Sequence, residues 1–183
     1  MRVLALAVAS AAALAACRPP APPASGGSGG TPRAAPTAPH ADLLDAATDL
    51  DGQLIGRLAP TQRATVAIVF ASWCGHCRDE IRVLEVLRAN HPEVRFLGVN
   101  YIAHEEYDGR GDAIAVRDFV DQRAPWLRVV PADEGLWSGL GRPPKVPTIF
   151  VFDRSGALAK SYDRRVDPLP SFDDLDAVVT ALR

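Results

Sequence analysis

The chain has 183 residues and a formal net charge of -2, which suits one domain with extra segments. Its 20 Lys and Arg residues are scattered and form no basic stripe, so nucleic acid is excluded as a partner. All 22 acidic residues and all but three of the basic ones lie beyond position 41, which makes that part the folded, mildly acidic portion.

Arg2 supplies a positive start, and Val3 to Ala16 is apolar, alanine-rich and too short for a standard membrane span. Residues 1–16 therefore read as a targeting signal that ends in Leu14-Ala15-Ala16-Cys17. That ending resembles the bacterial lipoprotein signal, in which the cysteine is lipidated and becomes the new N-terminus. The resemblance implies a lipid on Cys17 and an anchor on the periplasmic side of a bacterial membrane. The alternative is an ordinary secretory signal, a soluble periplasmic protein and a free Cys17 thiol. Either way the protein is exported to a compartment where disulfides persist. Residues 17–41 are rich in Pro, Ala, Gly and Ser, with no aliphatic side chain larger than alanine between Arg18 and Pro39. Such a segment cannot bury a core and reads as a disordered tether giving the domain reach.

The globular part spans 42–183. Leu43, Leu44, Leu50, Leu54, Ile55 and Leu58 suggest a short helix or an edge strand. Thr65-Val66-Ala67-Ile68-Val69-Phe70 is a short β-branched apolar run, the pattern of a strand buried on both faces. A helix follows, with Ile81, Leu84 and Leu87 at helical spacing, and it ends near Asn90-His91-Pro92. Val94 to Ile102 is the next strand, so a right-handed crossover and a parallel pair are expected. His104 to Asp112 is polar and glycine-bearing and reads as a solvated loop; Arg110-Gly111-Asp112 carries no weight as a tripeptide motif. Ala113 to Arg123 is helical, Trp126 to Val130 a short strand and Glu134 to Leu140 a short helix. Ile149 to Phe152 and Ala157 to Tyr162 form a hairpin around Asp153-Arg154-Ser155-Gly156. The last helix opens on Ser171 as N-cap and buries Leu175, Val178, Val179 and Leu182.

Trp73-Cys74-Gly75-His76-Cys77 sits where the buried strand hands over to the first long helix. Unpaired N–H groups and the positive end of the macrodipole at a helix N-terminus favour a thiolate over a thiol. A cysteine so placed titrates at about 3.5–7.5 instead of about 8.5 and is a nucleophile at neutral pH. Half of a zinc site is the competing explanation of Cys-x-x-Cys, but structural zinc takes about four ligands and His40, His91 and His104 form no paired cluster. Redox chemistry is the stronger explanation, over zinc and over a chance pair of core cysteines.

Phe70 to Arg78 resembles the active-site signature of the thioredoxin superfamily, and Val146 to Asp153 with Gly156 resembles its second signature. The likeness covers roughly residues 42–183. It implies an α/β, thioredoxin-like fold: a central mixed sheet with helices on both faces. Cys77-Arg78-Asp79-Glu80, the insert around 103–130 and the exported form are most similar to the TlpA/ResA-like thiol–disulfide oxidoreductases. The resemblance implies a redox disulfide between Cys74 and Cys77, with Cys74 attacking and Cys77 resolving. It also implies a cis Pro147 facing the dithiol, and substrate contact through Trp73 and the Val146 backbone. No cofactor and no resident metal are expected. The implied partners are exported protein thiols or disulfides and a further redox protein that resets the dithiol.

Three departures stand out. Arg82 occupies a position where this branch often has a kinking proline. Ile68 replaces the buried aspartate of thioredoxins proper, which leaves Glu80, on the same helical face as Cys77, as the candidate proton shuttle; a solvated charge at the helix start is its alternative. Gly75-His76 is the dipeptide of protein disulfide isomerases, and a cationic His76 would favour the Cys74 thiolate and a more oxidising couple. A copper(I)-handling protein using Cys74, Cys77 and a histidine, and a non-catalytic thioredoxin-like interaction module, are the alternatives in function.

Overall fold

A computed structural model describes residues 38–182. The signal, Cys17 and most of the tether lie outside these residues. Within them the strands are β1 (Ala64–Val69), β2 (Val94–Tyr101), β3 (Arg128–Ala132), β4 (Thr148–Asp153) and β5 (Leu158–Asp163). The helices are α1 (Asp42–Asp45), α2 (Gly75–Asn90), α3 (Ile102–Glu105), α4 (Ala113–Arg123), α5 (Glu134–Gly139) and α6 (Phe172–Ala181).

The strands form one sheet in the order β3-β2-β1-β4-β5. β1, β2 and β3 run parallel, whereas β4 is antiparallel to both β1 and β5, so the sheet is mixed. β1 is central and wholly buried. Its period-two alternation sends Val66 and Ile68 into one apolar layer with Ile81, Leu84, Val116, Phe119, Leu175 and Val179. Ala67 and Val69 point the other way, into a layer with Leu44, Trp137 and Leu140. α2, α4 and α6 therefore cover one face, and α1 and α5 the other. This is the thioredoxin-like arrangement expected from the sequence.

Three local features position the strand-to-helix junction. At Gly98 of β2, a Cβ would stand 2.9 Å from both Phe70 Cε1 and Val129 Cγ2, so only glycine lets the Phe70 ring lie across the strand. That ring packs on Phe119 with centroids 5.5 Å apart. α2 runs unbroken over its 16 residues, and Arg82 within it pairs on the surface with Asp79 at 2.9 Å. Ser171 caps α6 in a reciprocal capping box with Asp174.

Several sequence expectations are displaced. The third strand is Arg128–Ala132, two residues beyond the predicted segment at each end, and Trp126 precedes it. The 42–58 stretch holds one helical turn and a single isolated bridge, Thr48 with Leu54; a second bridge, His40 with Ala157, lies just before it. Ala41, placed in the tether by composition, donates its N–H to the Gly156 carbonyl at 2.9 Å and is 3% exposed. The main correction concerns His104 to Asp112, expected to be a solvated loop. α3 takes Ile102 from the predicted strand and runs to Glu105, and a 3-10 turn (Tyr107–Gly109) follows. Residues 106–110 are exposed, but Glu105 is fully buried. Its carboxylate satisfies donors from two other segments, which draws the chain inward.

Candidate active site

β1 ends at Val69, and Phe70 to Trp73 carry the chain over the end of the sheet to α2. Cys74 is the N-cap of α2: its backbone is extended, and its sulfur accepts the Cys77 N–H at 3.2 Å. That is one of the otherwise orphaned donors of a helix start, and it points at the sulfur that has to carry negative charge. Cys74 and Cys77 are joined as a disulfide with Cα atoms 5.2 Å apart. The two sulfurs differ in access. Cys77 is fully buried, while Cys74 is 6% exposed and lines an open cleft of about 540 Å³.

Trp73, Gly75, His76 and Val146 line the same cleft. The Val146–Pro147 bond is cis. The Val146 carbonyl oxygen lies 3.9 Å from Cys74 Sγ and accepts a hydrogen bond from Arg164 Nη1 at 3.3 Å. The two signature segments, 72 residues apart at these atoms, thus meet at the Cys74 sulfur. His76 is solvent-exposed on the rim.

Glu80 lies one turn beyond Cys77 and is 3% exposed, which excludes the solvated-charge alternative. Among the described residues its Oε1 has no hydrogen-bond partner. Burial without a partner raises its pKa from 4.5 to about 7, because desolvation penalises the carboxylate. A carboxyl poised at neutrality inside the active-site helix suits proton transfer.

Beneath Trp73 lies a polar clamp that the sequence did not reveal. Glu105 Oε2 accepts the Ser72 N–H at 2.9 Å and the Asn100 side-chain amide at 2.8 Å, and Glu105 Oε1 accepts the Ser72 hydroxyl. The Trp73 indole N–H donates to the Glu105 backbone carbonyl at 2.9 Å. A Cβ on Gly111 would overlap Glu105 Oε1, which accounts for the glycine between Arg110 and Asp112. Asp112 itself caps α4 through the Ala115 N–H at 2.8 Å. Above the clamp, the Arg110 guanidinium stacks on Trp73 at 4.9 Å and faces Tyr107 at 5.7 Å. Asn100, polar at the end of an apolar strand, was the one available sequence signal for this clamp. Glu105 gave none: Ser72 and Trp73 lie 33 and 32 residues away, and only Asn100, five residues back, is near.

No family model and no curated protein sequence matches the chain. Solved structures do. The dsbF protein of Mycobacterium tuberculosis, seen in mixed oxidised and reduced forms, is 27% identical with a TM-score of 0.60, over 80% of this chain and 100% of its own. The chain is a thioredoxin-like thiol–disulfide oxidoreductase. A secreted M. tuberculosis disulfide oxidoreductase homologous to E. coli DsbE matches this oxidoreductase in fold, with a TM-score of 0.59 at 24% identity, over 76% of this chain and 97% of its own. So does the exposed lipoprotein thioredoxin Etrx1 of Streptococcus pneumoniae, with a TM-score of 0.58 at 18% identity, over 74% and 97%. Among the described residues, no group of three or more His, Cys, Asp or Glu side chains is placed to hold a metal.

Proposed function

We propose that the protein exchanges disulfides with exported protein substrates through Cys74, with Cys77 as the resolving thiol. The observation that carries this reading is the unequal access of the two joined sulfurs: only Cys74 opens onto the cleft. In the oxidised form a substrate thiolate attacks Cys74 Sγ, the Cys74–Cys77 bond breaks, and Cys77 leaves as a thiolate. Glu80, protonated near neutrality, gives Cys77 its proton. A second substrate thiolate then attacks the substrate sulfur of the mixed disulfide, forming the substrate disulfide and releasing Cys74 as a thiolate. Reduction of a substrate disulfide is the same path reversed.

The helix N-terminus stabilises the Cys74 thiolate in this scheme, with His76 beside it on the rim of the cleft. Trp73 shields the site, and the Val146 backbone before cis-Pro147 pairs with an extended substrate segment. A second redox protein resets the dithiol. The signal-like segment 1–16 and its cysteine support export and lipid attachment at Cys17, with residues 17–41 as tether to the domain. Among the described residues no helix is long and apolar enough to cross a membrane. The chemistry and the exported form together fit the TlpA/ResA-like branch.

The test is turnover of a disulfide-bonded protein such as insulin, with a small dithiol as electron source. Cys74→Ser is expected to abolish turnover. Cys77→Ser is expected to accumulate a Cys74–substrate mixed disulfide, visible as a mass adduct on non-reducing electrophoresis. Wild-type turnover by Cys77→Ser would overturn the resolving role.

A further inference from the structure

The charged side chains lining the cleft over Cys74 are all basic. The chain is net acidic, yet Arg110, Lys145 and Arg164 line this cleft and no Asp or Glu does. Elsewhere, Arg63, Arg82, Arg95, Arg117, Arg128, Arg142 and Arg165 are each paired with a carboxylate, while Arg57, Arg78, Arg88, Arg123, Arg154 and Lys160 are spread over the surface outside such pairs. Among the described residues, none of the three cleft cations takes part in such a pair. Arg110 is held by the Trp73 and Tyr107 rings, and Arg164 by the Val146 carbonyl. Glu106 and Asp108 are exposed on the neighbouring turn but do not line the cleft. The Asp163 carboxylate, next to Arg164 in sequence, is bound by Arg165 at 2.9 Å.

We infer that the cleft selects an acidic partner: an extended protein segment whose reacting cysteine is flanked by Asp or Glu. This deepens, and rests on, the exchange reaction proposed above. Like charges gathered around one cleft raise the local concentration of carboxylates, an attraction that salt screens. Arg164 gives the selection a structural consequence. Its guanidinium occupies the Val146 carbonyl, the group an incoming strand needs for backbone pairing. A substrate carboxylate offers that guanidinium a stronger, two-pronged acceptor. Arg164 then leaves the carbonyl, and the carbonyl becomes available to the substrate backbone. Arg110, standing on Trp73, receives a second acidic side chain.

The experiment uses the oxidised full-length protein and three single-cysteine peptides of otherwise identical sequence, with the cysteine flanked by Glu, Gln or Lys. The rate of mixed-disulfide formation at Cys74 is divided by the same peptide's rate with the neutral bis(2-hydroxyethyl) disulfide, which removes differences in thiol reactivity. At about 0.01 M salt the Glu peptide is expected to exceed the Lys peptide by roughly tenfold or more. At about 1 M salt, where the Debye length is near 3 Å, the ratio should fall towards one. Replacing Arg110, Lys145 and Arg164 together by Gln should remove the preference at low salt as well. Equal rates for the Glu and Lys peptides, a faster Lys peptide, or a preference that survives the triple replacement would overturn the inference while leaving exchange at Cys74 intact. Failure of all three peptides to react at Cys74 would contradict the exchange reaction, and the inference with it.

Discussion

Glu80 ties the chemistry to stability in a single residue. Its pKa rises from 4.5 in the unfolded chain to about 7 in the folded one, so the folded state holds an extra proton between those values. The contribution of Glu80 to stability is therefore greatest below pH 4.5, declines as pH rises through this window and levels off above about 7. At 1.36 kcal/mol per pKa unit the decline is on the order of 3 kcal/mol. Glu80→Gln keeps the shape without the ionisation, so its stability should be flat from pH 5 to 8 relative to wild type and higher above pH 7. Urea unfolding at several pH values measures both curves. The same substitution should remove the inflection near pH 7 from the exchange rate if Glu80 handles the Cys77 proton. A purely structural Glu80 would move the stability curve and leave that inflection in place.

Among the elements, the segment from α3 to the Tyr107–Gly109 turn matters most to the site. Glu105 reaches from it to hold Ser72 and Asn100, and its backbone holds Trp73. Glu105→Ala orphans buried donors of Ser72 and Asn100, at about 1–3 kcal/mol each. Glu105→Gln can satisfy all of them: its oxygen takes the Ser72 N–H and the Asn100 amide, and its amide meets a Ser72 hydroxyl turned to accept. The expected order of urea midpoints is wild type close to Gln, and both well above Ala. Turnover of Ala should fall further than that of Gln, since the segment carrying Trp73 loses its anchor. A Gln variant as unstable as Ala would show that the negative charge, and not the hydrogen-bond pattern, is what the clamp needs.

This segment also marks where the sequence stopped being informative. β1, α2, α4 and α6 were legible because local pattern and burial agree: β-branched runs for a strand with two covered faces, and apolar stripes with Ser171 or Pro125 as punctuation. α4 falls on the predicted residues because Asp112 and Pro125 bound it. The dithiol was legible because chemistry and position coincide in five consecutive residues. Glu105 was not, because the Ser72 N–H and hydroxyl that hold its carboxylate are distant in sequence, and the nearer Asn100 does not by itself separate it from an exposed Glu106. Glu80 was half legible: helical spacing gave its face, but only packing decides whether that face is wet.

At the scale of the molecule, the sheet serves to bring two remote segments to one sulfur. The β1–α2 junction supplies Cys74 with a helix N-terminus, and the antiparallel β4 starts where it delivers Val146 to the same atom. Basic side chains from three separate stretches, at Arg110, Lys145 and Arg164, converge there on a chain of opposite net charge. The match to dsbF spans 100% of that chain, so the likeness in fold extends over the whole of it. The central claim is a reversible bond between Cys74 and Cys77. Equilibration of the protein in glutathione buffers of graded potential, followed by alkylation and mass measurement, tests it directly. The account predicts one reversible two-electron transition in which Cys74 and Cys77 change state together, with about 30 mV per tenfold change in ratio. Two thiols that never pair with each other at any potential, or a bond that forms and cannot be reopened, would contradict it.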